Sequence, residues 1–282
     1  MMDEPLRDIP ILTYHKIDMR REWGINSVKP GSFLRQMQLL KEEGYTPVNF
    51  RQIHQGEIPA KPIIITFDDG YESVYDNAFP ILRKSGFTAV VFIITEYIGK
   101  MNLWDANLGG IRFSHLNRRQ IGELSDAGIE IGSHGIAHRA FTHITPEELE
   151  AELYHSRREL QKLCGTYPLS LAYPFGMQNH SVLKLVRKAG YEYGCINLWG
   201  ATNLAQPLSL SRIPVYRTDS LRAFRNKLTK GWRNRIEISK LKMLSWPSRL
   251  TPLYQDWRNR TWAPHLSQTG YRPEAENIPE EP

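Results

Sequence analysis

Two adjacent aspartates, Asp68 and Asp69, are the first residues in the chain whose placement suggests chemistry. They lie in the motif TFDDG at 66–70, directly after an apolar run. Side chains alternate along an extended strand, so we expect the two carboxylates to point in different directions. One could then bind a metal while the other acts on a bound water. An Asp-Gly pair is also typical of an ordinary turn, and the local sequence leaves both readings open.

Two histidines four residues apart, His134 and His138, form the second candidate group, in the motif SHGIAH at 133–138. Such a pair can bind one metal ion if the segment is helical or tightly looped. The segment lacks the glutamate of an HExxH arrangement, so a general base must come from elsewhere, and Asp68 is the obvious supplier. Two imidazoles and one carboxylate would leave an open metal position for water, as in a hydrolytic site.

A third group consists of Tyr173, Pro174, Phe175 and Gly176, where a predicted strand runs into a turn. Such a turn could present a backbone N–H to a developing oxyanion and an aromatic wall to a sugar. An ordinary strand-to-helix turn is the alternative. Trp104 lies in a loop after another predicted strand and could stack on a sugar ring, although a partly buried loop tryptophan is the more common outcome.

The elements that must position these groups follow from the hydrophobic pattern. Apolar, β-branched runs predict strands at 9–14, 62–67, 88–94, 128–132, 169–173 and 212–215. Amphipathic segments between them predict helices, among them one that starts at Pro146 with Thr145 as its cap and Glu148 completing a capping box. Strands alternating with helices predict a parallel α/β sheet, open or closed into a barrel. Each motif follows a predicted strand.

The chain divides into an α/β domain at 1–219 and a basic extension at 220–282, with helical spacing followed by irregular sequence. Between 221 and 262 there are eleven Lys/Arg residues against two acids. This excess predicts peripheral contact with an anionic membrane surface. A solvated helix face, or a last helix packed on the core, is the alternative. We expect no nucleic-acid binding, because no known nucleic-acid module is present.

Composition limits the class of protein. The chain has 282 residues, of which 41% are hydrophobic and 23% charged, as in a globular protein with a sizeable core. Two cysteines cannot build a disulfide framework. The acidic first eight residues have no apolar centre, and no apolar run is long enough to span a bilayer. These features predict a cytoplasmic location, with attachment at the inner face of the membrane as an option.

The motifs together resemble those of the polysaccharide deacetylases, also called NodB-homology or carbohydrate esterase family 4 enzymes. TFDDG matches their first motif, SHGIAH their second and YPFG at 173–176 a variant of their third, and the resemblance covers roughly 9–216. It implies a distorted (β/α)7 TIM-like barrel and a divalent metal, usually zinc. By this resemblance the general base is Asp68, the oxyanion donor is the Phe175 N–H, and the metal ligands are Asp69, His134 and His138.

Two departures from the family pattern bear on the site. Many members carry an arginine in the third motif to orient the catalytic aspartate, where this chain has Ala172. Arg212, at the start of a predicted strand, could replace it, and a purely structural salt bridge is the alternative. A general-acid histidine near the C-terminal end is also missing. His15, in ILTYH at 11–15, resembles the corresponding histidine of exopolysaccharide N-acetylglucosamine deacetylases whose motif order is circularly permuted.

We therefore predict His15 as the general acid, the alternative being a histidine that caps the first strand. The resemblance implies a hydrolase that removes an N-acetyl group from an amino sugar of a surface polysaccharide, lipopolysaccharide or lipid-linked glycan. Two other functions stay open at this point. One is a catalytically silent glycan-binding barrel, suggested by the missing arginine. The other is an amidase acting on a small non-sugar C–N bond.

Overall fold

The computed structural model describes residues 9–20, 25–102, 111–197 and 205–229. Its strands are β1 (Ile11–Tyr14), β2 (Lys16–Ile17), β3 (Ser27–Val28), β4 (Thr46–Pro47), β5 (Pro62–Phe67), β6 (Val90–Ile93), β7 (Glu130–Ser133), β8 (Ser170–Ala172), β9 (Tyr193–Ile196), β10 (Leu210–Ser211) and β11 (Ile213–Pro214). Its helices are α1 (Pro30–Glu42), α2 (Phe50–His54), α3 (Phe79–Ser85), α4 (Arg118–Asp126), α5 (Pro146–Cys164), α6 (His180–Lys188) and α7 (Leu221–Leu228). Trp104 and the extension from 230 onward lie outside the described residues.

The main sheet closes on itself through one short segment of chain. Its strands run in the order β10, β9, β8, β7, β6, β5, β1, β11, and neighbouring strands are parallel. Because Arg212 alone separates β10 from β11, this segment pairs with β9 through its first half and with β1 through its second. Counting the split segment once gives seven strand positions. The predicted (β/α)7 barrel is confirmed.

Alternate side chains of the strands belong to two different hydrophobic clusters, as the pleat requires. In β5, Ile64 packs with residues of β1, β6, β8, β9 and β10, together with Phe50 of α2. Its neighbours Ile63 and Ile65 pack instead with residues of α1 and α4. The first cluster therefore fills the barrel interior and the second joins the barrel to its helices. Strands covered on both sides in this way are mostly buried, and they set where the loops at their carboxyl ends begin.

The helix predicted from Pro146 is confirmed as α5, and its capping box forms as predicted. The Thr145 hydroxyl accepts from the Glu148 N–H at 3.3 Å, and Glu148 in turn accepts from the Thr145 N–H at 2.9 Å. These bonds satisfy backbone donors that the first helical turn leaves open. Among the described residues, no helix is long and apolar enough to cross a membrane.

The described start of the basic extension, α7, packs on the barrel. Phe224 is buried in the cluster that joins barrel and helices, and Arg225 pairs at 2.6 Å with Glu43, the residue that follows α1. Lys227 is buried against Asp219, at 2.5 Å. This short helix therefore contributes to the folded domain, and two of its cations already have protein partners.

Candidate active site

All three motifs lie in loops that follow parallel strands, at the carboxyl end of the barrel. Among the described residues, three non-glycine residues adopt a left-handed backbone, with φ of 70° at Asp69, 55° at His138 and 59° at Phe175. There is one such residue in each motif. Left-handed backbone is costly for residues with a Cβ and persists where the surrounding structure imposes it, often at functional sites.

Asp69, His134 and His138 converge in a buried cluster. The Asp69 Oδ1 lies 3.4 Å from the His134 Nε2 and 3.6 Å from the His138 Nε2. One ligand atom from each of the three residues lies within 4.8 Å of the others. Tetrahedral ligands about 2.0–2.2 Å from one zinc ion would be separated by about 3.3–3.6 Å. The spacing is therefore that of a possible metal site.

The donor set also fits a metal by its hydrogen bonding. The His134 Nδ1 lies 2.8 Å from the Ala172 carbonyl oxygen, and because a carbonyl can only accept, Nδ1 must donate. In the neutral ring the Nε2 lone pair then faces the Asp69 carboxylate. Two electron-rich atoms 3.4 Å apart require a positive charge between them, either a proton or a metal ion. A backbone carbonyl that fixes the tautomer in this way is usual for histidines that bind metal.

The surroundings of the triad shift the pKa values of its two histidines in opposite directions. Burial acts to lower the pKa of both histidines. For His134, the nearby carboxylates and the Ala172 carbonyl outweigh burial and raise the pKa. For His138, burial and the neighbouring His134 lower the pKa to about 3. Asp69 stays ionised, since the three surrounding histidines outweigh burial and lower its pKa.

Asp68 points the other way and forms a bidentate ion pair with Arg212. Its two carboxylate oxygens accept from the Arg212 Nη1 at 2.6 Å and Nη2 at 2.7 Å, and both side chains are fully buried. Burial would raise the pKa of Asp68, but the guanidinium, with His134 and His15, lowers it below its ordinary value. The adjacent aspartates thus have separate partners, as strand alternation predicted.

Arg212 is fixed by several further contacts. Its Nη2 donates to the Asn197 Oδ1 at 2.7 Å, and its Nη1 lies 3.3 Å from the Thr66 hydroxyl. Asn197 was missed by the sequence reasoning, because it follows β9, a strand that the hydrophobic pattern did not reveal. Gly176 of the third motif packs closely against Asn197, and a Cβ added at Gly176 would lie 2.5 Å from the Asn197 backbone nitrogen.

His15 follows β1 at the same end of the barrel. Tyr14 pairs with Phe67, and the Asp68 N–H donates to the Tyr14 carbonyl at 2.9 Å, so His15 lies level with the aspartates. Its side chain is partly exposed. Electrostatic attraction from His15 is one of the causes that lower the pKa of Asp68 and Asp69, in keeping with its position beside them.

The third motif contributes less side-chain surface than expected. Tyr173 was predicted to contact substrate, but its ring is fully buried and its hydroxyl donates to the Leu208 carbonyl at 2.8 Å. Pro174 is also buried, whereas Phe175 and Gly176 are partly exposed. The Phe175 ring stacks edge-on against His138, with centroids 4.6 Å apart. The contact surface of this turn is therefore Phe175 and the backbone, and the predicted role of the Tyr173 side chain is corrected.

These placements bring a possible metal triad, an ionised carboxylate held by an arginine, a partly exposed histidine and a left-handed turn to one end of the barrel. Two imidazoles and one carboxylate leave a metal open for water, and a second carboxylate can accept a proton. Hydrolysis of a polarised carbonyl compound is the chemistry that this set of groups can perform.

Comparison with known proteins agrees with this interpretation. Residues 55–194 match the model of the polysaccharide deacetylase family. A Bacillus subtilis protein, YxkH, whose name assigns it to the polysaccharide deacetylases, is 30% identical over 73% of this chain and 71% of its own length. The poly-β-1,6-N-acetyl-D-glucosamine N-deacetylase of Staphylococcus epidermidis is 29% identical, over 60% of each protein.

The structure of the Streptococcus pyogenes deacetylase PplD in complex with acetate superposes with a TM-score of 0.68 at 27% identity. The superposition covers 79% of this chain and 98% of that protein. The resemblance and the barrel predicted from the motifs are confirmed.

Proposed function

Because the chain belongs to the polysaccharide deacetylase family, we propose that it is a metal-dependent hydrolase that removes N-acetyl groups from an amino sugar of a polysaccharide. The observation that carries this proposal is the convergence of Asp69, His134 and His138 beside the ion pair of Asp68 and Arg212. The staphylococcal relative is named for N-deacetylation of a glucosamine polymer, and it supports the same class of substrate here. The chain spans 60% of the length of that relative.

In this proposal Asp68 is the general base. Its lowered pKa keeps it ionised at neutral pH, and Arg212 fixes the orientation of the carboxylate. A carboxylate has about four lone-pair sites, so two guanidinium bonds leave room for it to accept a proton from the attacking water. Arg212 would do the work of the arginine that the third motif lacks at Ala172.

Asp69, His134 and His138 are proposed as the ligands of a divalent metal, with zinc favoured by the two imidazoles and one carboxylate. The chemistry that such an ion supplies is polarisation of the acetamide carbonyl and activation of water. The Phe175 N–H is proposed to donate to the developing oxyanion, a kind of donor worth about 3 kcal/mol in other hydrolases. His15 is proposed to protonate the departing amine, without which the tetrahedral intermediate would revert.

The silent-barrel alternative was suggested by the arginine missing from the third motif. Arg212, which lies between β10 and β11, supplies the guanidinium that the third motif lacks, because it contacts the proposed base Asp68. The missing arginine is therefore no longer an argument for a silent barrel. We therefore favour turnover over passive glycan binding.

Mass spectrometry of products from a defined panel tests the proposal. The panel would hold N-acetylated glucosamine oligomers of several linkages, other N-acetylated glycans and small non-sugar acetamides. We expect loss of single acetyl groups, with release of free amine, from at least one glycan and not from the small amides. Turnover of the small amides alone would favour an amidase, and no turnover with metal bound would favour the silent barrel.

Location and membrane contact are further proposals. The eleven cations between 221 and 262 support peripheral contact with an anionic inner membrane surface, and hence a cytoplasmic substrate such as a lipid-linked glycan. Arg225 and Lys227 are already paired, so the contact would fall to the residues beyond α7. Full-length chain should co-sediment with anionic vesicles, whereas a chain ending at Thr229 should not. Equal sedimentation of both would refute membrane contact.

A further inference from the structure

The loop between the two proposed histidine ligands has its backbone N–H groups bound by protein side chains. The Gly135 N–H donates to the Ser133 hydroxyl at 3.1 Å. The Ile136 N–H donates to the Glu152 Oε2 at 2.5 Å, and the Ala137 N–H lies 3.4 Å from the same oxygen. Three successive peptide groups therefore face inward, toward helix α5.

This loop wraps around the Glu152 carboxylate as a concave anion site. Successive N–H groups that converge after a left-handed residue form a nest for an anion, and Gly135 supplies that residue with φ of 78°. A Cβ at Gly135 would lie 2.9 Å from the Glu152 oxygen, so the carboxylate fits closely. The acceptor in this nest is therefore a side chain of the protein itself.

The same loop is held from its other side by the chain after β6. The Thr95 N–H donates to the Gly135 carbonyl at 3.1 Å, and the Glu96 N–H donates to the Ile136 carbonyl at 3.0 Å. One helical turn after Glu152, the Ser156 hydroxyl accepts a hydrogen bond from the Ser133 hydroxyl at 2.9 Å. The residues between His134 and His138 are thus hydrogen-bonded on one side to α5 and on the other to the segment after β6.

Glu152 itself is almost fully buried and does not belong to the triad. A buried carboxylate is costly unless hydrogen bonds compensate it, and a nonpolar residue could fill the same space at less cost. The burial of Glu152 is explained if the loop between His134 and His138 needs a hydrogen-bond acceptor for its backbone N–H groups. The left-handed backbone at His138 indicates such a need, because that conformation must be imposed by its surroundings.

We propose that Glu152 is a positioning residue that sets the geometry of the metal site by binding the backbone of the loop between His134 and His138. The inference rests on the proposed function, since it assumes that these histidines bind metal. Residues that orient metal ligands typically contribute about 10–100-fold to metal affinity. Glu152 would do so through the backbone, whereas most such residues contact the ligand side chain.

The test compares Glu152→Ala with Glu152→Gln in the full chain. A single oxygen of Glu152 accepts both N–H groups, so the carboxamide oxygen of glutamine can replace it and the alanine methyl cannot. Glu150→Ala is the matched control, because Glu150 lies on the same helix and pairs with Lys188 at the surface. Zinc affinity of each metal-free protein would be measured by competition with a chromophoric chelator, alongside amide exchange of residues 133–138 and Tm.

We expect Glu152→Ala to weaken zinc binding about 10–100-fold and to speed amide exchange of the loop. Glu152→Gln should stay within a few-fold of the wild type in both measurements. Glu150→Ala should also stay close to the wild type in both. Zinc affinity unchanged in Glu152→Ala, even with a lowered Tm, would overturn the inference and leave the proposed function standing. A wild-type chain that bound no zinc would overturn both.

Discussion

The barrel buries a carboxylate at each of its ends, and the two carboxylates have different hydrogen-bond partners. At the carboxyl end Asp68, 1% exposed, faces the guanidinium of Arg212. At the amino end Glu130, 7% exposed, accepts from the Ser170 hydroxyl at 2.6 Å and from the Arg51 backbone N–H at 2.9 Å. Burial raises the pKa of each group, yet only Asp68 ends below its ordinary value, whereas Glu130 ends above it.

The difference shows what a charged partner adds to burial. Neutral donors only partly compensate a buried carboxylate, so the pKa of Glu130 stays above its ordinary value. A guanidinium compensates the charge itself, so Asp68 remains a carboxylate that can accept a proton. This division matches the general behaviour of such barrels, in which chemistry lies at the carboxyl ends of the strands and stability at the amino ends.

The largest effect is expected from removing the ionised group at the carboxyl end. Asp68→Asn keeps the shape of the side chain but cannot accept a proton, so kcat should fall by about 10²–10⁴-fold while bound metal is unchanged. Steady-state deacetylation assays with elemental analysis of the same samples measure both. A near-normal rate would show that Asp68 is not the base.

Removing the guanidinium tests the cause of the lowered pKa directly. Arg212→Met leaves the Asp68 charge buried without its partner, which should cost about 3–5 kcal/mol of unfolding free energy. The pKa of Asp68 should rise, so the acidic limb of the rate profile should move to higher pH.

Arg212→Lys is the matched control, because it keeps the charge and loses the bidentate geometry, and its effects should be smaller. Chemical denaturation and pH–rate profiles provide the measurements. An Arg212→Met variant with wild-type stability and an unmoved limb would remove the guanidinium from the explanation.

His15 extends the comparison to the proton donor at the carboxyl end. His15→Asn should lower kcat by about 10²-fold and abolish the loss of activity at high pH that follows deprotonation of a general acid. His54→Asn, at an exposed histidine of α2, should leave the profile unchanged. A basic limb that survives in His15→Asn would assign the acid to another group.

The smallest effect is expected at the amino end and concerns stability alone. Because the pKa of Glu130 is raised in the folded protein, its contribution to the unfolding free energy is fully present below the ordinary glutamate pKa. This contribution is lost as pH rises through the raised value. Unfolding free energy of the wild type should therefore decline relative to Glu130→Gln as pH rises through that window.

The size of this decline should be about 1.4 kcal/mol for each unit by which the pKa is raised. Urea unfolding at a series of pH values measures it, with the exposed Glu147→Gln as control. kcat should be nearly unaffected by Glu130→Gln. A constant difference in stability across pH would contradict the raised pKa.

The parts of the fold that carry strong local signals were predictable from sequence. The strand at 62–67 was predicted with the bounds that β5 has, and α5 begins at Pro146 with the predicted cap. The family resemblance implied that Asp69, His134 and His138 meet, and each of the two motifs follows a strand of a parallel sheet, whose carboxyl ends lie at the same edge. Where local pattern and tertiary packing agree, a sequence is sufficient to find the element.

Other parts depend on packing that no local pattern encodes. β9 was missed because Gly194 interrupts its apolar run, yet that glycine is required, since a Cβ there would lie 2.6 Å from the Tyr173 hydroxyl. Asn197 was not predicted as a site residue because the strand that positions it, β9, was not predicted. Glu152 reads as one more polar residue of a helix, and only the folded loop beside it reveals its contacts.

The central claim is that Asp69, His134 and His138 bind one metal ion beside an unbound Asp68. Metal content of His134→Ala, measured by elemental analysis after equilibration with zinc, tests it most directly. We predict one zinc per chain for the wild type and for Asp68→Asn, and almost none for His134→Ala at matched free zinc. Equal metal in all three would contradict the shared site, and with it the account of how this barrel performs hydrolysis.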